Sequence, residues 1–171
     1  MVERIELNKG VNLGFEEKEG DLIGRRWGYD IHCKKSAREM TVNVYDRKKF
    51  KIVADELHHR SVAYLGLSKR NGAWHVELVD VESRYKGKKL ANKLNRFVLK
   101  TLGITLMAGS SQSVGGRYIW NTLAKDRHVT VYAKKGVYSN VIDFPKTGKR
   151  ELVGNLFNLY DTKAAIFAVS A

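Results

Sequence analysis

The sequence holds one cysteine, one proline and few acids for its size. Cys33 alone cannot form an internal disulfide, which fits a reducing, cytoplasmic setting. Pro145 is the only proline, and neither a proline-rich linker nor a repeat divides the 171 residues, so one domain is expected. No apolar run approaches the roughly 20 residues of a membrane helix. Met1–Glu6 also lacks the apolar stretch of a secretory leader, and no membrane partner is expected. No Ser/His/Asp or Cys/His arrangement can be read, which leaves nucleophilic catalysis without support. Acids number 18 against 31 Lys+Arg, a net charge of +13. A surplus of that size draws nucleic acid, anionic cofactors or acidic proteins.

What is present reads as a globular core, with 43% hydrophobic and 10% aromatic residues. Residues 1–40 show little pattern beyond an acidic patch at Glu16, Glu17, Glu19 and Asp21. Thr41–Tyr45 alternates like a strand. Asp46 is read as the cap of a helix carrying Phe50, Val53, Ala54 and Leu57 on one face and ending near His58–Arg60. Imidazoles at such an end favour the helix dipole, and no metal site is expected there or elsewhere. Val62–Ser68 and Ala73–Val81 read as strands joined through Asn71-Gly72, a strong hairpin signal. A helix is predicted over 88–101, stopped by Gly103, then a short strand Ile104–Ala108 and a second helix Ser113–Lys125. Val129–Ala133 and Ala164–Ser170 read as further strands. A helix crossing from the strand near 80 to the strand near 106 requires one parallel pair in an otherwise antiparallel sheet. The core is placed at about 41–135, with 1–40 and 134–171 peripheral.

The segment Val79–Lys100 carries the strongest chemical signal. A strand breaks at a basic turn containing Gly87 and continues as an amphipathic helix with Leu90, Leu94, Phe97 and Val98 on one face. Such a turn points several backbone N–H groups one way, and with the helix dipole they form an anion site. From Arg84 to Lys100 there are seven basic residues and no acid, and Lys89, Lys93, Arg96 and Lys100 form a stripe. That stripe is expected to face solvent, as a solvated surface or as a contact for an anionic partner.

This order and turn resemble the GNAT superfamily of acyl-CoA-dependent N-acetyltransferases. The family signature is [Q/R]-x-x-G-x-[G/A], and here Arg84-Tyr85-Lys86-Gly87-Lys88-Lys89 matches at Arg84 and Gly87 and departs at Lys89. The resemblance implies an α+β, GNAT-like fold: a mixed, mostly antiparallel sheet with one parallel crossover pair splayed to hold a cofactor, flanked by helices. It implies acetyl-CoA as co-substrate. The pyrophosphate would lie on Arg84, Tyr85, Lys86, Gly87, Lys88 and Lys89, and the pantetheine arm along Val79 and Val81. The family's downstream Asn-x-x-Ala…Tyr stretch aligns with Ser113, Gly116 and Trp120. Ser113 then takes the Asn position, and Trp120 replaces the usual tyrosine. Indole cannot donate a proton at neutral pH, so Tyr118 is the substitute phenol. The Gly-Gly-x-x-Ile-Trp arrangement also resembles divergent members encoded by bacteriophages, which would place the protein in a host cytoplasm.

Direct transfer needs a base for the attacking amine. Family members often carry it on the strand before the turn, which makes Glu77 and His75 the expected bases. The same residues would also serve to solvate a polar strand face. Two functions stay open: an N-acetyltransferase whose acceptor sits on a polyanion such as a charged tRNA or on an acidic protein, or a catalytically inactive GNAT-fold protein binding nucleic acid or an acidic protein.

Overall fold

The computed structural model describes residues 14–70, 72–108, 114–135, 141–143 and 164–170. The chain groups into two compact units, Met1–Ser68 with Glu77–Ala91, and Lys69–Val76 with Asn92–Ala171.

The first unit is an antiparallel array of β1 (Phe15–Glu16), β2 (Asp21–Arg26), β3 (Tyr29–Lys35), β4 (Glu39–Val53) and β5 (Glu56–Arg70), with the later part of β6 (Ala73–Val81). Neighbours run β2-β3-β4-β5-β6, and β1 pairs with β5 through Phe15↔Arg60. Its core is the middle of β4 and β5, where Met40, Val42, Val44, Tyr45, Val62, Ala63 and Leu65 are buried. Consecutive buried residues on both strands mean that both faces are covered there, as β-branched and aromatic side chains suit.

The helix expected after Asp46 is absent. Residues 46–60 form the outer half of a long β4–β5 hairpin, with Ile52↔Leu57 and Val53↔Glu56 paired across the turn. Ala54 and Asp55 both have positive φ (49° and 64°), the left-handed pair of a type I′ turn. The spacing of Phe50, Val53 and Leu57 mimicked a helix face, yet all three are exposed, and no core claims them. Alternation through Phe50-Lys51-Ile52 was the pattern that mattered.

The second unit contains the start of β6 together with β7 (Leu106–Met107), β8 (Val129–Lys135), β9 (Val141–Asp143) and β10 (Ala164–Ser170). Two helices accompany them: α1 (Leu90–Leu102), which starts in the first unit, and α2 (Val114–Lys125). Strands run β6-β7-β10-β8-β9. The β6–β7 pair is parallel, with Trp74↔Leu106 and His75↔Met107, and the other strand pairs of the described residues are antiparallel. The fold is therefore α+β, a mixed and mostly antiparallel sheet with one parallel crossover pair and two helices, as expected. The segment read as peripheral at 134–171 includes β10, which is paired on both sides, with β7 and with β8.

Leu90, Leu94, Phe97 and Val98 of α1 are buried as their spacing required, each contributing about 1.5–3 kcal/mol of apolar burial. Trp120 and Leu123 are buried on α2, which lies against β8.

Candidate coenzyme site

The turn between β6 and α1 is built in two halves. Ser83–Tyr85 is one turn of 3-10 helix capped by Glu82, whose carboxylate accepts the Arg84 N–H (3.1 Å) and the Arg60 guanidinium (2.9 Å). The N–H groups of Tyr85 and Lys86 donate to the Glu82 and Ser83 carbonyls (2.9 and 3.4 Å). Three of the amides expected to cradle a phosphate are thus engaged within the turn. Glu82 thus holds Arg84 through the backbone.

The second half is different. Gly87 and Lys89 both have positive φ (87° and 56°), while Lys88 between them does not. Alternating signs of φ turn successive N–H groups toward one concave side, the geometry of an anion nest, and α1 starts at once behind it. A Cβ built on Gly87 meets nothing within 4 Å, so this approach is open. The sixth signature position now has a physical reason. It is a left-handed position, which glycine occupies freely and lysine only at a cost of about 1 kcal/mol.

Tyr85 anchors the turn from below. Its hydroxyl donates to Asp46 Oδ2 (2.8 Å), and its ring meets Tyr29 edge-on at 5.9 Å between centroids. Burial, and then the hydrogen bond to Asp46, push the phenol up to about 12. Lys88 Nζ lies over the Tyr85 ring, 5.4 Å from its centroid, while Arg84, Lys86 and Lys88 remain exposed.

On β6, the Glu82 N–H donates to the Val62 carbonyl (2.9 Å). By antiparallel alternation the backbone groups of Val79 and Val81 then point away from β5, where an added strand or ligand arm would pair. The Val81 N–H is occupied by Asp80 Oδ1 at 2.9 Å. Glu77 is exposed and its carboxylate accepts the Ser68 hydroxyl. Glu77, Val79, Val81 and Arg84–Lys89 all belong to the first unit, while His75 and Tyr118 belong to the second. His75 is buried at 6% exposure, so it does not serve to solvate a polar face. Tyr118 is exposed on α2 and its carbonyl accepts the Thr122 hydroxyl (2.9 Å). Ser113 lies outside the described residues.

The basic stripe of α1 is not wholly free. Asp126 takes Arg96 (3.6 Å) and Lys100 (3.4 Å) with a carboxylate only 8% exposed. Burial alone would raise that carboxyl, but the His128 N–H and the charges of Lys100 and Arg96 hold it below its ordinary value.

No family model and no curated protein matches the sequence. Among solved structures the chain is similar to the ribosomal-protein-S18-alanine N-acetyltransferase from Escherichia coli, at 11% identity and a TM-score of 0.41, over 80% of this chain and 71% of that one. It is similar to an IAA acetyltransferase from Bacillus cereus (12%, 0.39, 78% and 79%) and to a KacTA–DNA complex (13%, 0.37, 81% and 96%). At such TM-scores the fold rests on the chain's own strand order and parallel pair.

Sequence reasoning missed one cluster. Glu17, Glu56 and His58 bring carboxylate and imidazole atoms within 4.8 Å of one another, and the Glu56 hydrogen bond and charge raise the Glu17 carboxyl. The residues come from β5 and the stretch after β1, and no local spacing announces them.

Proposed function

We propose that this protein is an acetyl-CoA-dependent N-acetyltransferase whose diphosphate site is the Gly87–Lys89 nest at the start of α1. The observation that carries the reading is the alternation of φ at Gly87, Lys88 and Lys89 ahead of a helix N-terminus, with open space over Gly87. The fit is chemical as well: three successive N–H groups and exposed Arg84, Lys86 and Lys88 suit a diphosphate. Acetyl-CoA supplies the activated acyl thioester. Val79 and Val81 offer the strand edge, and Glu77 takes the proton that the attacking amine must lose, with Ser68 steadying the carboxylate. Tyr118 and His75 keep the roles the resemblance implies, and the reading does not require them, since a thiolate can leave without full protonation.

Calorimetric titration with acetyl-CoA tests the proposal. Saturable binding that Gly87→Asp abolishes supports it, because the variant adds a Cβ and a negative charge where an anion must approach. Absence of binding at millimolar acetyl-CoA to the folded protein ends it.

The alternative, a GNAT-fold binding protein without catalysis, is favoured by Trp120. That indole is buried where the family has its phenol, so no acid stands at that position.

A further inference from the structure

The tip of the β2–β3 hairpin lies beside a bulge in β4 of the first unit. The β2–β3 turn is Trp27-Gly28, and the register Arg26↔Tyr29 and Tyr29↔Asp46 sets it beside the residues that follow Asp46 on β4. There the β4–β5 register jumps from Asp46↔Arg60 to Phe50↔His59, so Arg47, Lys48 and Lys49 have no partner on β5 and bulge from the ladder.

The chemistry of this end is uneven in a telling way. Trp27 has φ 57°, a left-handed position that bulky residues rarely take, and its side chain is exposed. With Gly28 at φ 83° it forms the left-handed pair of a two-residue hairpin turn, which sets the indole at the tip. Phe50, at the far edge of the bulge, is 58% exposed. Arg47, Lys48 and Lys49 lie on β4 between Asp46 and Phe50, and Arg25 precedes Trp27 by two residues on β2. Arg25 and Arg47 are aimed by one buried carboxylate: both reach Asp30 Oδ1 (3.1 and 3.5 Å), yet 59% and 52% of their side-chain surface stays open. Asp30 is balanced separately by Lys18 at 2.7 Å.

We propose that this end, the β2–β3 tip with the β4 bulge beside it, binds single-stranded nucleic acid, with bases stacked on Trp27 and Phe50 and phosphates held by Arg25, Arg47, Lys48 and Lys49. Rings set singly among cations are the pattern of a stacking platform along a charged track. A membrane surface fits less well. The apex beyond Phe50 carries Asp55 and Glu56, which would be the first groups driven into lipid. A second copy fits less well too, since each chain carries +13. Tyr85 links this end to the Gly87–Lys89 turn through Asp46 and Tyr29, but binding here does not depend on acyl transfer.

The test uses a fluorescein-labelled single-stranded RNA 20-mer, with anisotropy read over a salt series. The wild type should bind with submillimolar affinity at low salt. Arg47→Gln/Lys48→Gln/Lys49→Gln should weaken binding at least ten-fold and flatten the slope of log K on log salt by about 2, at ~0.7 per phosphate contact. Trp27→Asn keeps a residue that tolerates left-handed backbone, and Phe50→Ala removes the second ring. Each should weaken binding about five-fold or more with the salt slope unchanged. Lys34→Gln/Lys35→Gln/Arg38→Gln removes the same charge elsewhere on the first unit and should change affinity less than two-fold. Circular dichroism and a melting curve check that each variant is folded. Equal losses from the two triple variants would overturn the site in favour of undirected charge. Binding to phosphatidylserine vesicles but not RNA would overturn it in favour of a membrane surface, and no RNA binding at low salt would overturn it outright. Retained acetyl-CoA binding by the 47–49 variant separates this outcome from that of the coenzyme reading.

Discussion

The Tyr85 hydroxyl donates to the Asp46 carboxylate at 2.8 Å, tying the Gly87 turn to the middle of β4 across 39 residues of chain. The loop is therefore positioned by a strand of the first unit as well as by its own backbone. Tyr85→Phe should cost about 1.5–3 kcal/mol, the usual range for a hydrogen bond to a charged group. Because the folded phenol sits near 12 against 10.0 for an ordinary tyrosine, this contribution is complete below pH 10 and is lost as pH rises toward 12. Denaturant melts of both proteins between pH 8 and 12 should converge at the alkaline end.

Lys89→Gly should relieve the left-handed strain and raise stability by about 1 kcal/mol, or about 2–4 °C in melting temperature. Its effect on acetyl-CoA binding separates two contributions. Tighter binding means that close backbone approach limits the site; weaker binding means that the ammonium does. Calorimetry on the variant decides between them.

Asp80→Ala should free the Val81 N–H and remove a negative charge near the nest. Acetyl-CoA affinity should rise several-fold with little change in melting temperature, as the changed side chain is not part of the buried core. Unchanged affinity in a titration would mean that the amide is not used by the ligand.

Asp126→Asn should release Arg96 and Lys100 and cost about 1–3 kcal/mol, since it removes the charge that pairs with both from a largely buried site. The folded carboxyl lies below its ordinary 3.8, so its contribution is present above that pH and is lost as pH falls through the depressed value. Wild-type stability should fall more steeply than that of the variant between pH 4 and pH 2.

Glu77→Gln preserves shape and removes a base. If transfer occurs, the rate at neutral pH should drop ~10²–10⁴-fold with coenzyme binding retained. An unchanged pH–rate profile would pass the proton to water or another group.

Elements whose own periodicity matched their packing were legible from sequence. Ala73–Val81 and Ala164–Ser170 have the bounds read from alternation, and α1 lies within two residues of its reading. The outer β4–β5 hairpin was not legible, because Ala54-Asp55 is not a conventional turn pair and Phe50, Val53 and Leu57 fit a helical spacing by coincidence. Trp27-Gly28 hid the β2–β3 hairpin for the same reason: indole is not a residue that signals positive φ. At the candidate site the glycine turn was visible in the sequence, while the engaged amides of Arg84, Tyr85 and Lys86 depend on where Glu82 and Ser83 fall. Asp126 on the stripe and Asp46 under Tyr85 are contacts made at long range, beyond any local pattern.

β10 lies between β7 and β8, although both of those strands precede it in the chain. During synthesis, β7 and β8 therefore emerge with bare edges and no bridge between them, a state prone to sticking edge to edge. A ribosome stalled before residue 164, or a protease cut in that interval, leaves the second unit without a central strand rather than merely shortened. The edges of β7 and β8 are closed only by a strand that is made after both of them.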